Sequence, residues 1–211
     1  MLASDRMRDR ITSSGLATAF TNLSLAVLYT AFAFSHLQEF RSQPRASVLL
    51  FVLLETLFAL FFVARRQASA SSTSLTAWAS TLAGTFLPLL LRPAPGAEDV
   101  LVGQVVQAAG TALGVSGVLS LNRSLGLLPA NRGVRSGGAY RLVRHPLYAS
   151  YVVTHAGYLT SNFTGWNVGI ALAAFAAQVV RISGEEAVLS RDPEYVAYKA
   201  RTRWRLLPFV Y

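Results

Sequence analysis

The sequence predicts an all-α integral membrane protein: a helical bundle of about six transmembrane helices with a C-terminal cytoplasmic or interfacial helix. Three observations predict it. Hydrophobic residues make up 53% of the chain and charged residues only 14%, against about 25% charged in soluble domains. The charges cluster between apolar segments that approach or meet the roughly 20 residues needed to cross a hydrocarbon core. Finally, the basic residues are distributed unevenly. With the N-terminus in the cytoplasm, 16 of the 19 Lys and Arg fall on cytoplasmic segments, and only Arg41, Arg45 and Arg92 fall outside. That bias follows the positive-inside rule.

The same features narrow the function. A net charge of +9 suggests nucleic acid, but the bases sit at the ends of apolar segments, where a membrane protein needs them. Nucleic-acid binding is therefore not expected. The absence of Cys excludes disulfides, thiolate metal sites and a Cys nucleophile. The three His are far apart and lack metal-ligand spacing, so no metal is expected.

The segments follow in order. After a basic start (Arg6, Arg8, Arg10), the first apolar segment runs from about Leu16 to Phe34. Its length exceeds a signal-peptide core despite the cleavage-like Ala31-Phe32-Ala33, and it reads as a retained span. The second runs from Ala46 to Ala64, the third from Leu75 to Leu91, and the fourth from Val100 to Leu121. Gly103, Gly110, Gly114 and Gly117 on the fourth fit close helix packing; no strand precedes them, so a dinucleotide loop is excluded. The fifth runs from Pro146 to near Thr160, and the sixth from Gly165 to about Ile182, its helix continuing through Glu185 and Glu186 to Leu189. Asp192-Pro193 then signals a new helix. Its apolar side and bases suit a membrane interface, and the apolar end from Arg205 to Tyr211 is expected to dock.

Two polar knots stand out. The first is Gly137 to Tyr148, where glycines, Arg141, Arg144 and His145 lead into the fifth helix at Pro146. The second is Arg181 to Glu186. The short link Ser161–Gly165 forces an antiparallel hairpin, so the two knots must lie side by side on the cytoplasmic face. His145, Tyr148, Val152 and His155 share one helix face, as do Gln178, Arg181 and Glu185. Either set can be a hydrogen-bonded packing face, or Arg181 and Glu185 a simple helical pair. At a membrane boundary they would also form a pocket with cations for a carboxylate and anions for an ammonium. Glu55, mid-way along the second span, is either a paired packing residue or part of a substrate path.

The run Gly138-Ala139-Tyr140-Arg141-Leu142-Val143-Arg144-His145-Pro146-Leu147-Tyr148, then Arg181-Ile182-Ser183-Gly184-Glu185-Glu186, then Tyr195, Tyr198 and Arg205-Leu206-Leu207-Pro208-Phe209, resembles the isoprenylcysteine carboxyl methyltransferase family and its bacterial relatives. The resemblance covers about residues 120 to 211; Ala139 stands where the family often has Pro.

This resemblance implies an integral membrane methyltransferase that uses S-adenosylmethionine. It would be a single membrane domain in which residues 1–121 supply N-terminal spans and residues 122–211 bind the cofactor. Carried over by motif, Tyr140, His145, Pro146, Leu147, Tyr148 and Glu185 would line the cofactor pocket, with backbone contacts from Gly133, Val134 and Arg135. Arg181 would face the substrate, and Arg144 would orient the reacting group or the cofactor. The expected partner, besides the bilayer, is a lipophilic acceptor, most simply a carboxylate, which is already nucleophilic. Amine or phospholipid N-methylation, a sterol-reductase-like NADPH enzyme and a non-enzymatic membrane protein are the competing readings. The expected location is a bacterial inner membrane, with both termini and the site cytoplasmic.

Overall fold

The computed structural model describes residues 2–64, 74–121 and 134–210, apart from the side chains of residues 2–18, 21 and 64. The described residues form seven α-helices and no strand. These are α1 (Leu2–Ser42), α2 (Ala46–Ala64), α3 (Leu75–Phe86), α4 (Leu101–Leu121), α5 (Pro146–Ser161), α6 (Gly165–Leu189) and α7 (Pro193–Arg201), with 3₁₀ turns at Leu87–Leu90 and Gly138–Arg141. Three of them, α2, α4 and α6, are long and apolar enough to cross a membrane.

The helix ends have local causes. Helix α1 outlasts the apolar segment at its centre because no Pro intervenes before Pro44. Ser74 caps α3 by accepting from the Ala77 amide. Further along, Pro88 cannot donate to the Gly84 carbonyl, so the α-helix ends at Phe86 and a 3₁₀ turn follows. Asp192 caps α7, its Oδ1 accepting from the Glu194 amide at 2.9 Å, and Pro193 occupies the first helical position, as the sequence signal indicates.

Two contacts position the site. Helices α4 and α5 pack closely because glycines line the seam: a Cβ added at Gly110 would lie 2.5 Å from the Thr154 amide nitrogen. Gly114 faces Ser150 and Gly117 faces Leu147 in the same way. Meanwhile α6 lies on α3, where Gln178 Nε2 donates to the Gly84 carbonyl at 2.8 Å, the acceptor that Pro88 left without its helical donor. The core between α1, α2, α4 and α5 is apolar, with Leu25, Tyr29, Leu54, Phe58, Val118 and Leu147 buried.

At the far end of the α5–α6 hairpin, Asn167 Nδ2 donates to the carbonyls of Arg92 at 2.7 Å and Asn162 at 2.8 Å. Nearby, Asp99 accepts from the Ser47 hydroxyl at 2.6 Å, the Ser47 amide at 3.0 Å and Arg45 Nη2 at 3.0 Å. That polar knot fixes the entry of α2 against the entry of α4. Glu55, for which the sequence leaves two readings open, is paired: His36 Nδ1 lies 2.9 Å from its Oε2.

Candidate functional site

The site is built where the first turn of α5 meets the last turns of α6. The 3₁₀ turn before α5 begins with Gly138 at φ +59°, a conformation that favours glycine. A Cβ there would also strike the Ser120 hydroxyl of α4. The turn buries Tyr140, whose carbonyl accepts from Tyr198 Oη at 2.7 Å. Tyr140, Tyr195 and Tyr198 form one cluster with Val134 packed on it. The Tyr198 hydroxyl is pushed up to about 12, by burial first, with a hydrogen bond involving Thr202 opposing. Burial, helped by the charge of Glu185, raises Tyr140 well above the usual tyrosine value. These phenols therefore stay protonated near neutral pH.

From the turn, the chain pairs with the C-terminal tail. The Arg144 amide donates to the Trp204 carbonyl at 2.8 Å, and the His145 amide to the Arg205 carbonyl at 2.9 Å. Arg144 Nη1 adds bonds to the carbonyls of Thr202 at 2.9 Å and Arg203 at 2.7 Å. The tail docks as expected through Leu206, which is buried, while Phe209 and Val210 stay exposed.

Two adjacent carboxylates on α6 divide the labour. Glu186 is buried and surrounded by bases. Its Oε1 lies 2.7 Å from Arg144 Nε and 3.2 Å from His145 Nε2, and its Oε2 lies 3.1 Å from Arg205 Nε and 3.8 Å from Lys199 Nζ. Glu185 is half-buried, and its Oε2 accepts from the Tyr148 hydroxyl at 2.7 Å. Arg181 stacks over the Tyr148 ring, with Cζ 5.2 Å from the centroid, and its Nη1 reaches Thr85 Oγ1 at 3.4 Å. Glu186 is saturated by bases, whereas Glu185 is held by a neutral hydroxyl and shares the field of a single cation, Arg181.

Of the residues that the sequence picks out, His145, Tyr148, Arg181 and Glu185 meet in one patch. Arg144 lies beside them, but its donors are engaged with Glu186 and the tail. Pro146 opens α5, and Leu147 turns into the core over Gly117 beside Val118. Val134 supports the tyrosine cluster, Arg135 is exposed, and Gly133 lies outside the described residues. Sequence reasoning missed Glu186 as a hub, although it stands in the second polar knot. It also missed Tyr151, stacked 6.4 Å from His155 at 14°; its spacing of three from Tyr148 was the available signal.

The patch thus sets an anion, Glu185, whose orientation the Tyr148 hydroxyl fixes, beside the Arg181 cation on the same ring. No family model matches the chain, and the curated proteins contain no significantly similar sequence.

Proposed function

We propose that this chain is an integral membrane methyltransferase that uses S-adenosylmethionine to methylate a lipophilic carboxylate. The observation that carries the reading is the Tyr148–Glu185 hydrogen bond of 2.7 Å with Arg181 stacked on the same ring. It puts an available anion and a fixed cation around one aromatic ring, at the mouth of an antiparallel hairpin. The topology that goes with it has six spans, with the shorter helices α3 and α5 held between the longer ones. The termini and the site face the cytoplasm of a bacterial inner membrane, and α7 lies at the interface.

In this reading Glu185 holds the cofactor's ammonium, and Tyr140, His145 and Tyr148 wall the pocket. Glu186 binds Arg144 and His145, and so keeps the loop rigid against the tail. Arg181 holds the acceptor carboxylate. Bound S-adenosylmethionine would supply a methyl on a cationic sulfur, which passes in line to an oxygen nucleophile. Alignment and electrostatics carry most of such an acceleration. A carboxylate acceptor is already anionic and needs no base, whereas an ammonium must first lose a proton.

The test is transfer of a labelled methyl group from the cofactor to a lipid extract by the protein in proteoliposomes. The reading predicts base-labile, volatile label, as a methyl ester releases methanol. Base-stable label would redirect the acceptor to an amine, and no transfer to any extract would count against the reading.

A further inference from the structure

A second cluster of polar and aromatic groups lies in the core, away from the Tyr148–Glu185 patch. Phe51, Glu55 and Phe58 are spaced by four and three and share one face of α2. Tyr151 and His155 share one face of α5. Together with Tyr29 of α1 they line a cavity of about 40 Å³, which Thr85 of α3 also borders. The rings follow one another around its wall. Centroids lie 5.7 Å apart from Tyr29 to Phe58, 5.6 Å from Phe58 to Tyr151, 6.4 Å from Tyr151 to His155 and 6.2 Å from His155 to Phe51.

Glu55 is the anomaly in this wall. It is 4% exposed and stands about 14 Å from either end of α2. An ionisable group at that depth of a span is costly and calls for a partner. His36 supplies a hydrogen bond, its Nδ1 lying 2.9 and 3.1 Å from the two carboxylate oxygens. A neutral imidazole that donates there leaves the carboxylate its full charge. That charge also acts on the Tyr29 hydroxyl, another group of the cavity wall. Aromatic faces attract cations, and most strongly where water is excluded. Arg181 approaches Thr85 Oγ1 at 3.4 Å and opposes a cation in the cavity, so binding there would depend on Glu55 and the rings.

We infer that this aromatic box, with the Glu55 carboxylate in its wall, binds a small ammonium cation: ammonium itself or methylammonium. The volume sets the size, because one water takes about 30 Å³ in the liquid; one or two heavy atoms fit, and a quaternary ammonium does not. The depth sets the source. A lipid headgroup stays at the membrane surface, outside the hydrocarbon core that α2 spans, so the occupant is a free amine. The inference goes beyond methyl transfer and does not rest on it.

Binding of radiolabelled methylammonium to the full chain in nanodiscs, near neutral pH and without S-adenosylmethionine, tests it. The parent should bind the probe saturably. Unlabelled ammonium should displace it, and tetramethylammonium should not. Glu55→Gln, which removes the charge and keeps the shape, should weaken binding at least about tenfold. Phe58→Leu, which keeps the carboxylate and removes one ring, should weaken it about fivefold. That second variant carries the test if Glu55→Gln fails to fold, with its unfolding midpoint measured beside the parent's. No saturable binding by the parent, displacement by tetramethylammonium as readily as by ammonium, or undiminished binding by a folded variant of either kind would overturn the inference. Because cofactor is absent throughout, saturable and selective binding would uphold the box even if the methyltransferase reading failed.

Discussion

Arg144 Nε lies 2.7 Å from Glu186 Oε1, and both side chains are buried. The pair joins the loop before α5 to the end of α6, and the remaining Arg144 donors draw in the tail. Breaking such a pair leaves an uncompensated buried charge, which costs about 3–5 kcal/mol. Glu186→Ala should therefore lower the unfolding midpoint in detergent sharply. Glu185→Ala, which removes a half-buried carboxylate held by one hydroxyl, should lower it far less. Equal midpoints for the two variants would contradict the division of roles between them.

The α4–α5 seam makes a second prediction. At Gly110 a side chain would meet α5 backbone, which cannot swing aside. Gly110→Val should cost at least the roughly 1–3 kcal/mol typical of overpacking. Gly169 on α6 has open space around it, so Gly169→Ala should be neutral or slightly stabilising. Thermal unfolding of the two variants beside the parent checks both statements.

Asp99 gives the pH dependence. Burial pushes its carboxyl upward, but hydrogen bonds from the Ser47 hydroxyl and amide, Gln104 and Arg45 outweigh that and leave it below the usual carboxylate value. A group whose pKa is depressed on folding stabilises fully above its unfolded value, near pH 4, and loses that contribution as the pH falls through the folded value. The parent should thus lose more stability between about pH 5 and about pH 3 than Asp99→Asn. Unfolding midpoints over that range decide the matter; parallel curves would show that Asp99 contributes no charge-dependent stability.

Much of this architecture is legible in the sequence because it rests on local rules. Helix α2 runs from Ala46 to Ala64, as the apolar segment around Glu55 indicates. The Asp192-Pro193 cap starts α7. The short hairpin link implies that the Tyr148 and Glu185 ends meet, and they do. What escapes depends on rotation and long-range pairing. Glu185 and Glu186 differ by about 100° around a helix, and nothing local says which one faces the loop and tail. The helical face through Tyr148 admits both Tyr151 and Val152, and the stacking of Tyr151 on His155 appears only in three dimensions. The His36–Glu55 pair needs the register of α1 against α2, and the Asp99 knot joins residues 52 positions apart. Neither leaves a trace in periodicity or spacing.

The most direct measurement is calorimetric titration of the detergent-purified protein with S-adenosylmethionine, beside Glu185→Ala. Saturable binding by the parent is predicted, with loss of that binding in a variant whose unfolding midpoint stays close to the parent's. A well-folded parent that takes up no S-adenosylmethionine would contradict the central claim.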